Sequence, residues 1–247
     1  MIEYSNVLGL KVGVTSINDV CETVVNWCRE RDSRYISVSN VHMCMEAFDS
    51  PTFQNIVNRS DLVVPDGRPL YWFQKIKGHV SAKQVRGVDL TLALCERAEI
   101  EGISIGFYGS TNDVLSDLEY TLFCLFPKIK ISYIYSPPFR PLSKQENKNV
   151  QIQIKDSGCQ LLFVGLGCPN QEKWMGDQKD ILPVTMVGVG AAFDFIAGNK
   201  SSAPKFMQRI GLEWLYRLAQ EPGRLWRRYL IQNSRFTFLV LKELLFK

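Results

Sequence analysis

The chain has 247 residues, 46% of them hydrophobic and 22% charged, with 17 glycines, 11 prolines and a formal net charge of +4. That balance fits a soluble globular protein of one large domain, or of one domain with a small appendage, and excludes collagen-like and wholly disordered chains. No stretch approaches the roughly 18 consecutive apolar residues of a spanning helix, and Met1-Ile2-Glu3-Tyr4 lacks the basic and apolar regions of a secretory signal, so a cytosolic protein is expected.

In chain order, Ser16–Arg31 reads as the first helix, with Ile17, Val20, Cys21, Val24, Val25 and Cys28 at helical spacing. Tyr35–Ser39 and Leu62–Val64 read as strands. A helix over Asp89–Glu101, with Asp89 as its N-cap, leads to a strand at Ser104–Tyr108. Helix Thr111–Phe126, strand Lys130–Ile134, helix Ser143–Ser157, strand Leu161–Gly165, helix Pro169–Lys179 and strand Thr185–Val189 complete the alternation. The proline-rich run Tyr135–Pro141 breaks a strand and reads as a loop. Strands separated by helices of this length make βαβ units and a mainly parallel sheet, hence an α/β fold. After about Ser201 the pattern becomes wholly helical, which places a catalytic body at 1–200 and a helical C-terminal appendage at 201–247.

In such a sheet, ligands bind beyond the carboxyl ends of the strands. Val63-Val64-Pro65-Asp66-Gly67 carries a carboxylate at a strand tip; it suits a tight turn, and it equally suits a general base at the mouth of a cleft. Gly165-Leu166-Gly167-Cys168-Pro169-Asn170-Gln171 is a glycine-rich bend opening a helix, a plausible anion site. It is neither the dinucleotide fingerprint nor a P-loop, which counts against a dehydrogenase or an ATPase. The small residues of Val187–Ala192, Gly190 among them, allow close packing or close approach of a ligand. Asn40, following Ser39, either caps a helix or hydrogen-bonds a sugar or base, and His42 reads as a packed or surface histidine rather than a catalyst.

Seven cysteines without a C-x-x-C pair read as reduced, mostly buried thiols. Two histidines without nearby clusters make a zinc site or a Ser-His-Asp triad poor candidates. From Ala203 onward nine basic residues face three acids, interleaved with Trp214, Tyr216, Trp226, Tyr229, Phe236, Phe238 and Phe246. That segment suits a phosphate-rich partner, either a membrane surface or nucleic acid, or else a helix pair with solvated arginines.

Taken together, these segments resemble the WecG/TagA/CpsF family of glycosyltransferases over nearly the whole chain. The resemblance rests on Asn40, on Leu62–Gly67, on Arg86-Gly87-Val88-Asp89-Leu90 and on the bend Gly165–Trp174. It continues through Gly188–Gly198 with Asp194, through Ala203-Pro204, and through Gly211–Pro222 and Arg224–Tyr229. The family implies a Rossmann-like body with a membrane-meeting helical appendage. It also implies an inverting transfer from a UDP-sugar donor to a polyprenyl-diphosphate-linked saccharide acceptor, without cofactor or essential metal. Asp66 matches the family's catalytic base, and Gln171 a nucleotide-contacting position. Arg217, Arg224 and Arg227 match appendage arginines that engage diphosphate. The substrate-binding set extends over Ser39, Asn40, Arg86, Asp89, Gly165, Gly167, Gly190 and Asp194. One departure is Val38, where relatives often carry threonine; Ser37 or Ser39 is expected to supply that hydroxyl if it is supplied at all.

The chemistry agrees with these residues. An acceptor hydroxyl becomes a good nucleophile only as a base takes its proton. The departing UDP needs its charge stabilised, and with no D-x-D motif in the chain that falls to the Gly165–Gln171 turn and the appendage arginines. A lipid acceptor keeps the enzyme peripheral on the inner face of the cell membrane. The alternatives are a nucleotide-sugar-binding module without catalysis and, less well supported, an RNA-binding protein using the tail; no nucleic-acid partner is expected. The sugar, the acceptor saccharide, the linkage and the oligomeric state, a homo-oligomer included, are left open.

Overall fold

A short antiparallel hairpin absent from the reading above opens the fold: β1 (Glu3–Val7) and β2 (Leu10–Val14), paired Val7 to Leu10. The structure, a computed structural model, describes residues 2–245. Met1, and Phe246 and Lys247 of the basic tail, lie outside the described residues. The hairpin turn places Leu8 at φ +50° and Gly9 at φ +92°, and only glycine takes the second value without strain.

Then follow α1 (Ile17–Glu30), β3 (Arg34–Ser39), α2 (Val41–Asp49), α3 (Pro51–Asn58), β4 (Leu62–Pro65), α4 (Arg68–Ile76), α5 (Gly87–Glu101) and β5 (Ser104–Gly109). The alternation goes on with α6 (Asn112–Leu125), β6 (Lys130–Tyr135), α7 (Lys144–Asp156), β7 (Leu161–Gly165), α8 (Asn170–Gln178) and β8 (Thr185–Gly188). Helices alone complete the chain: α9 (Ala192–Ile196), α10 (Lys205–Arg209), α11 (Glu213–Gln220), α12 (Pro222–Trp226), a π-helical stretch Arg227–Gln232 and α13 (Asn233–Leu245). The α/β alternation expected of the sequence is therefore present, with α2 as the helix expected after Asn40 and with α3, α4 and α9, which it did not include. Local chemistry sets the boundaries. Ser16 and Asp19 form a reciprocal capping box at α1, and Ser143 and Glu146 do the same at α7.

Six strands form one parallel sheet in the order β4-β3-β8-β7-β5-β6. Alternate side chains go to opposite faces, as the pleat requires. Ile36, Val38, Leu161 and Phe163 pack with α1, α5, α6 and α9, while Tyr35, Leu162, Val164 and Met186 pack with α7 and α8. A further apolar cluster joins the hairpin, α2, α3 and α4, and Phe236 of α13 is buried in it. The C-terminal helix is thus anchored on the body, with Arg235 bound to Asp49 and Lys77 to Glu243.

Two expectations need correction. Asp89 does not cap α5: the helix starts at Gly87, and Asp89 lies in its first turn. Nor does Ser37 or Ser39 stand in for a hydroxyl at position 38. Val38 faces one side of the sheet, whereas the Ser37 hydroxyl meets Ser60 at 2.7 Å and the Ser39 hydroxyl meets the Cys44 thiol at 3.8 Å on the other. The period-two geometry of a strand forbids the exchange. All seven cysteines are free, and five are buried; Cys124 is exposed and Cys168 half-buried.

At the end of β7, a Cβ placed on Gly165 would lie 2.5 Å from the Phe193 ring. That ring is fully buried and packs edge-on against Phe107 at 5.4 Å. Gly165→Ala is expected to cost on the order of 1–3 kcal/mol through overpacking, read from urea denaturation. An unchanged midpoint would show that the ring has room to yield.

Candidate active site

The parallel register decides what stands at the carboxyl edge of the sheet. Ser39 pairs with Pro65, so Asn40 and Asp66 leave adjacent strands side by side. The Asp66 amide donates to the Ser39 carbonyl at 2.8 Å. A Cβ on Gly67 would touch Asn40 at 3.4 Å. Asn40 caps α2 by accepting from the Met43 amide at 3.3 Å, the commoner of the two roles open to it. The cap uses its carbonyl oxygen, and both Asn40 and Asp66 line a cavity of about 100 Å³.

Asp66 Oδ1 accepts a hydrogen bond from the Gly87 amide at 3.0 Å, so a carboxylate from the β4 turn serves the first amide of α5. Its other oxygen makes no hydrogen bond among the described residues. Enclosure pushes the Asp66 pKa above its ordinary value of 3.8. The Gly87 amide opposes that rise, Glu213 adds to it, and Arg217 and Arg86 oppose it. A carboxylate so placed takes up a proton more readily than an exposed aspartate does, as a general base requires.

The glycine bend is tied to this point through a chain of contacts. Gly87 packs against the Val189 carbonyl, 3.5 Å from a Cβ placed on it. The next residue, Gly190, donates its amide to Gln171 Oε1 at 3.0 Å, and Gly167 donates to the same oxygen at 3.2 Å. Gly167 and Gly190 have φ of +78° and +56°, values that favour glycine. Gln171 is buried, and its Nε2 donates to Glu172 Oε1 at 2.7 Å. Its side chain therefore braces the two turns from below. Glu172 is fully buried, and its Oε2 has no partner among the described residues. Burial pushes its pKa up to about 7.

Arginines crowd the other walls. Arg217 of α11 lines the Asp66 cavity and lies over the Phe195 ring at 5.2 Å. Arg228 lines the same cavity and also a neighbouring cleft of about 470 Å³, where it meets His42, Cys168, Arg224 and Arg227. The Nε of Arg228 is buried without a partner. Burial lowers its pKa, as do Arg217 and Arg224, which marks a place short of negative charge. His42 Nδ1 lies 2.8 Å from Gln232 Oε1. Burial, then Arg228, lowers its pKa, which favours the neutral imidazole. Among the described residues no three His, Cys, Asp or Glu side chains gather as a metal site.

The expected residues thus fall into groups. Asn40, Asp66 and Arg217 meet at one cavity; Arg224 and Arg227 line the adjoining cleft. Gly167, Gln171 and Gly190 form the braced turns, and Gly165 lies against Phe193 beneath them. Arg86 and Asp89 pair at 3.2 Å in a third cleft, which shares Arg68 and Gln84 with the Asp66 cavity. Ser39 is buried. Asp194 is engaged by Lys200 at 3.6 Å and lines none of these three spaces. Sequence reasoning missed Arg68, Gln84 and Arg228 at the cavity and set His42 aside. Arg68 follows the Asp66-Gly67 turn directly and Arg228 follows Arg227, so adjacency to the motifs was the available signal.

The sequence model of the glycosyl transferase WecG/TagA/CpsF family matches residues 5–247. An N-acetylglucosaminyldiphosphoundecaprenol N-acetyl-beta-D-mannosaminyltransferase of Bacillus spizizenii is 31% identical over 210 residues, covering 85% of this chain and 79% of the relative. The protein of that name from Bacillus subtilis is 27% identical over 239 residues, 96% of this chain and 90% of its own length.

The Glu172 carboxyl gives a stability test. Its folded pKa of about 7 lies above the ordinary 4.5, so the folded chain holds that proton more tightly than the unfolded one. The contribution is complete below about 4.5 and is lost as pH rises through about 7. Glu172→Gln keeps the shape without the charge and is expected to lose less stability between pH 5 and 8.5 than the unaltered protein. Parallel pH curves from urea titrations would contradict a buried, uncompensated carboxyl.

Proposed function

The chain belongs to the glycosyl transferase WecG/TagA/CpsF family, and on that premise we propose that it transfers an N-acetylhexosaminyl group from a UDP-sugar to a polyprenyl-diphosphate-linked saccharide. The names of the two Bacillus relatives support an N-acetylglucosaminyl diphospho-lipid as acceptor and an N-acetylmannosaminyl group as cargo. The observation that carries the reading is Asp66: a carboxyl with raised proton affinity and one free oxygen, in a cavity walled by arginines.

In this mechanism the acceptor hydroxyl lies against Asp66, which takes its proton as the new glycosidic bond forms. The Gly87 hydrogen bond fixes the orientation of the carboxyl, so the free oxygen is the one that acts. The UDP-sugar lies over the Gly167 and Gly190 turns, held in place by Gln171. The bond from the anomeric carbon to the diphosphate breaks as the acceptor oxygen attacks from the opposite face, and the configuration inverts. Arg217, Arg224, Arg227 and Arg228 stabilise the charge that gathers on the departing UDP. Fixed guanidinium groups occupy the role that a divalent cation plays elsewhere, so the reaction proceeds without added metal.

The acceptor sets the location. Among the described residues no helix is long and apolar enough to cross a membrane. The appendage nevertheless exposes Trp226, Leu230, Ile231, Phe238 and Leu241 beside its arginines. Shallow insertion of these residues and attraction to anionic headgroups, about 1 kcal/mol per basic side chain, hold the protein to the inner face of the membrane.

Incubation with a panel of UDP-sugars and a short-chain lipid-diphosphate N-acetylglucosamine, with UDP release as the readout, tests the reaction. Asp66→Asn is expected to lower kcat by about 100-fold or more while UDP affinity persists; a variant retaining full turnover would remove Asp66 from the mechanism. EDTA is expected to leave the rate unchanged. Loss of activity restored by magnesium would refute the cationic account of the leaving group. The rate is also expected to rise with pH through a limb lying above the ordinary aspartate range, since Asp66 must be ionised to act. A limb at ordinary aspartate values would disagree with the enclosed carboxyl.

A further inference from the structure

The reaction proposed above involves two diphosphates, one on the donor and one on the acceptor, and the braced turns with the Arg224–Arg228 cleft accommodate only the first. A third space adjoins the Asp66 cavity and shares no lining residue with the Arg224–Arg228 cleft. It holds about 460 Å³ between α4, α5 and α10 and is lined by Arg68, Lys83, Arg86, Lys205 and Arg209, with Asp89 the one carboxylate on its wall. Arg68 and Gln84 line both spaces, and the Gln84 side-chain amide donates to the Asp66 carbonyl. From this reading of the reaction, we infer that the cleft binds the diphosphate of the lipid-linked acceptor.

Unbalanced charge is the first argument. Arg86 is neutralised by Asp89 at 3.2 Å and Glu213 at 3.4 Å. Arg68 gives its Nε to the Gln208 carbonyl at 3.1 Å, and neither it nor Lys83, Lys205 or Arg209 pairs with a carboxylate among the described residues. Four such cations around one open space repel one another and concentrate anions there. A diphosphate brings more than one negative charge and several acceptor oxygens, and guanidinium groups bind such oxygens bidentately.

Exposed apolar side chains on the two helices that supply Arg68, Lys205 and Arg209 add a second observation. Phe206 and Ile210 flank the cationic residues of α10 and are 64% and 54% exposed; Trp72 and Ile76 of α4 are 42% and 65% exposed. Trp72 is held there by Gly211, where a Cβ would fall 2.5 Å from the indole. A diphosphate esterified to an isoprenoid chain places apolar carbon next to the charge, as lysine and arginine beside aromatic side chains at a membrane surface would accept it.

Reach is the third. In an acceptor with one sugar on the lipid diphosphate, a single ring separates the attacking hydroxyl from the phosphates. A cleft sharing walls with the base is where those phosphates must lie. The donor diphosphate then occupies the Arg224–Arg228 cleft, whose lining is separate, which keeps attacking and leaving groups apart.

The test uses the full chain with Lys205→Ala and Arg209→Ala combined. Both residues are exposed, and the melting temperature serves as the check on folding. With the short-chain acceptor, KM for acceptor is expected to rise at least about tenfold, since each lost charge-assisted contact is worth a large fraction of a decade or more, while KM for UDP-sugar stays within about twofold. Titration with farnesyl diphosphate is expected to weaken by a similar factor, and titration with UDP to stay unchanged. An unchanged acceptor KM with unchanged farnesyl diphosphate affinity would overturn the inference, as would a selective loss of UDP affinity, which would make this the donor site. If farnesyl diphosphate binding fell in the variant while neither protein transferred sugar from any UDP-sugar, the cleft would stand as a lipid-diphosphate site and the transfer reaction would fall.

Discussion

One hydrogen bond organises the site: the Gly87 amide donating to Asp66 Oδ1. It joins the tip of β4 to the start of α5, elements separated by a helix and a loop. The first amides of a helix have no partner within the helix, and a carboxylate is well suited to the positive end. α5 therefore begins where Asp66 can serve it, and Asp66 in turn is held with one oxygen occupied and the other free. Gly87 also lies within ordinary contact distance of the Val189 carbonyl, just past the end of β8. That contact sets the amide holding Asp66 beside the residue that precedes Gly190. The same constraint limits how far this carboxyl can be tuned. The amide that fixes Asp66 also lowers its proton affinity, and enclosure, with Glu213 adding to it, outweighs that effect.

Charge explains the rest of the carboxyl edge. Cations surround the Asp66 cavity on both sides, and most of the arginines near it have no carboxylate. Arg217 instead lies over Phe195, Arg227 over Trp226 and Arg228 over Tyr229. Aromatic faces orient guanidinium groups without neutralising them, which leaves their charge available to a ligand. Arg86 differs. It is spent on Asp89, Glu213 and the Gln208 side chain, and so ties α10 and α11 to the body. Of the arginines picked out from the sequence, this one serves architecture as much as any substrate.

The alternation of strands and helices was legible because buried parallel strands are continuous apolar runs and the long helices carry apolar stripes. Asp66, Asn40 and the glycine turns were legible because they follow strands directly. The hairpin was not. Its turn is Leu8-Gly9 rather than the asparagine-glycine or aspartate-glycine that announces such turns, and Leu8 takes a positive φ that few leucines adopt. α3 was hidden because it is short and follows α2 directly at Ser50, which ends one and caps the other. The substitute hydroxyl failed for a reason the sequence already contained, since neighbours along a strand cannot share a face. Clefts formed between distant segments, such as Lys83 with Lys205 and Arg209, leave no local pattern to read.

The appendage presents a last constraint. It carries Arg224, Arg227 and Arg228 of one cleft and Lys205 and Arg209 of the other, yet it is not held by charge alone. Phe236 fills the cluster containing Leu70 and Phe73, and His42 on α2 meets Gln232. Removing the segment would therefore expose part of the body's apolar core, so the binding role of the arginines cannot be separated from packing by truncation. The attachment also has a mechanical consequence. Because α10 and α11 are fixed to the body through Arg86 and α13 through Phe236, the segment that brings Arg217 and Arg228 to the Asp66 cavity is tied down on both sides of those residues, and their guanidinium groups are placed by the packing of the body rather than by the appendage alone.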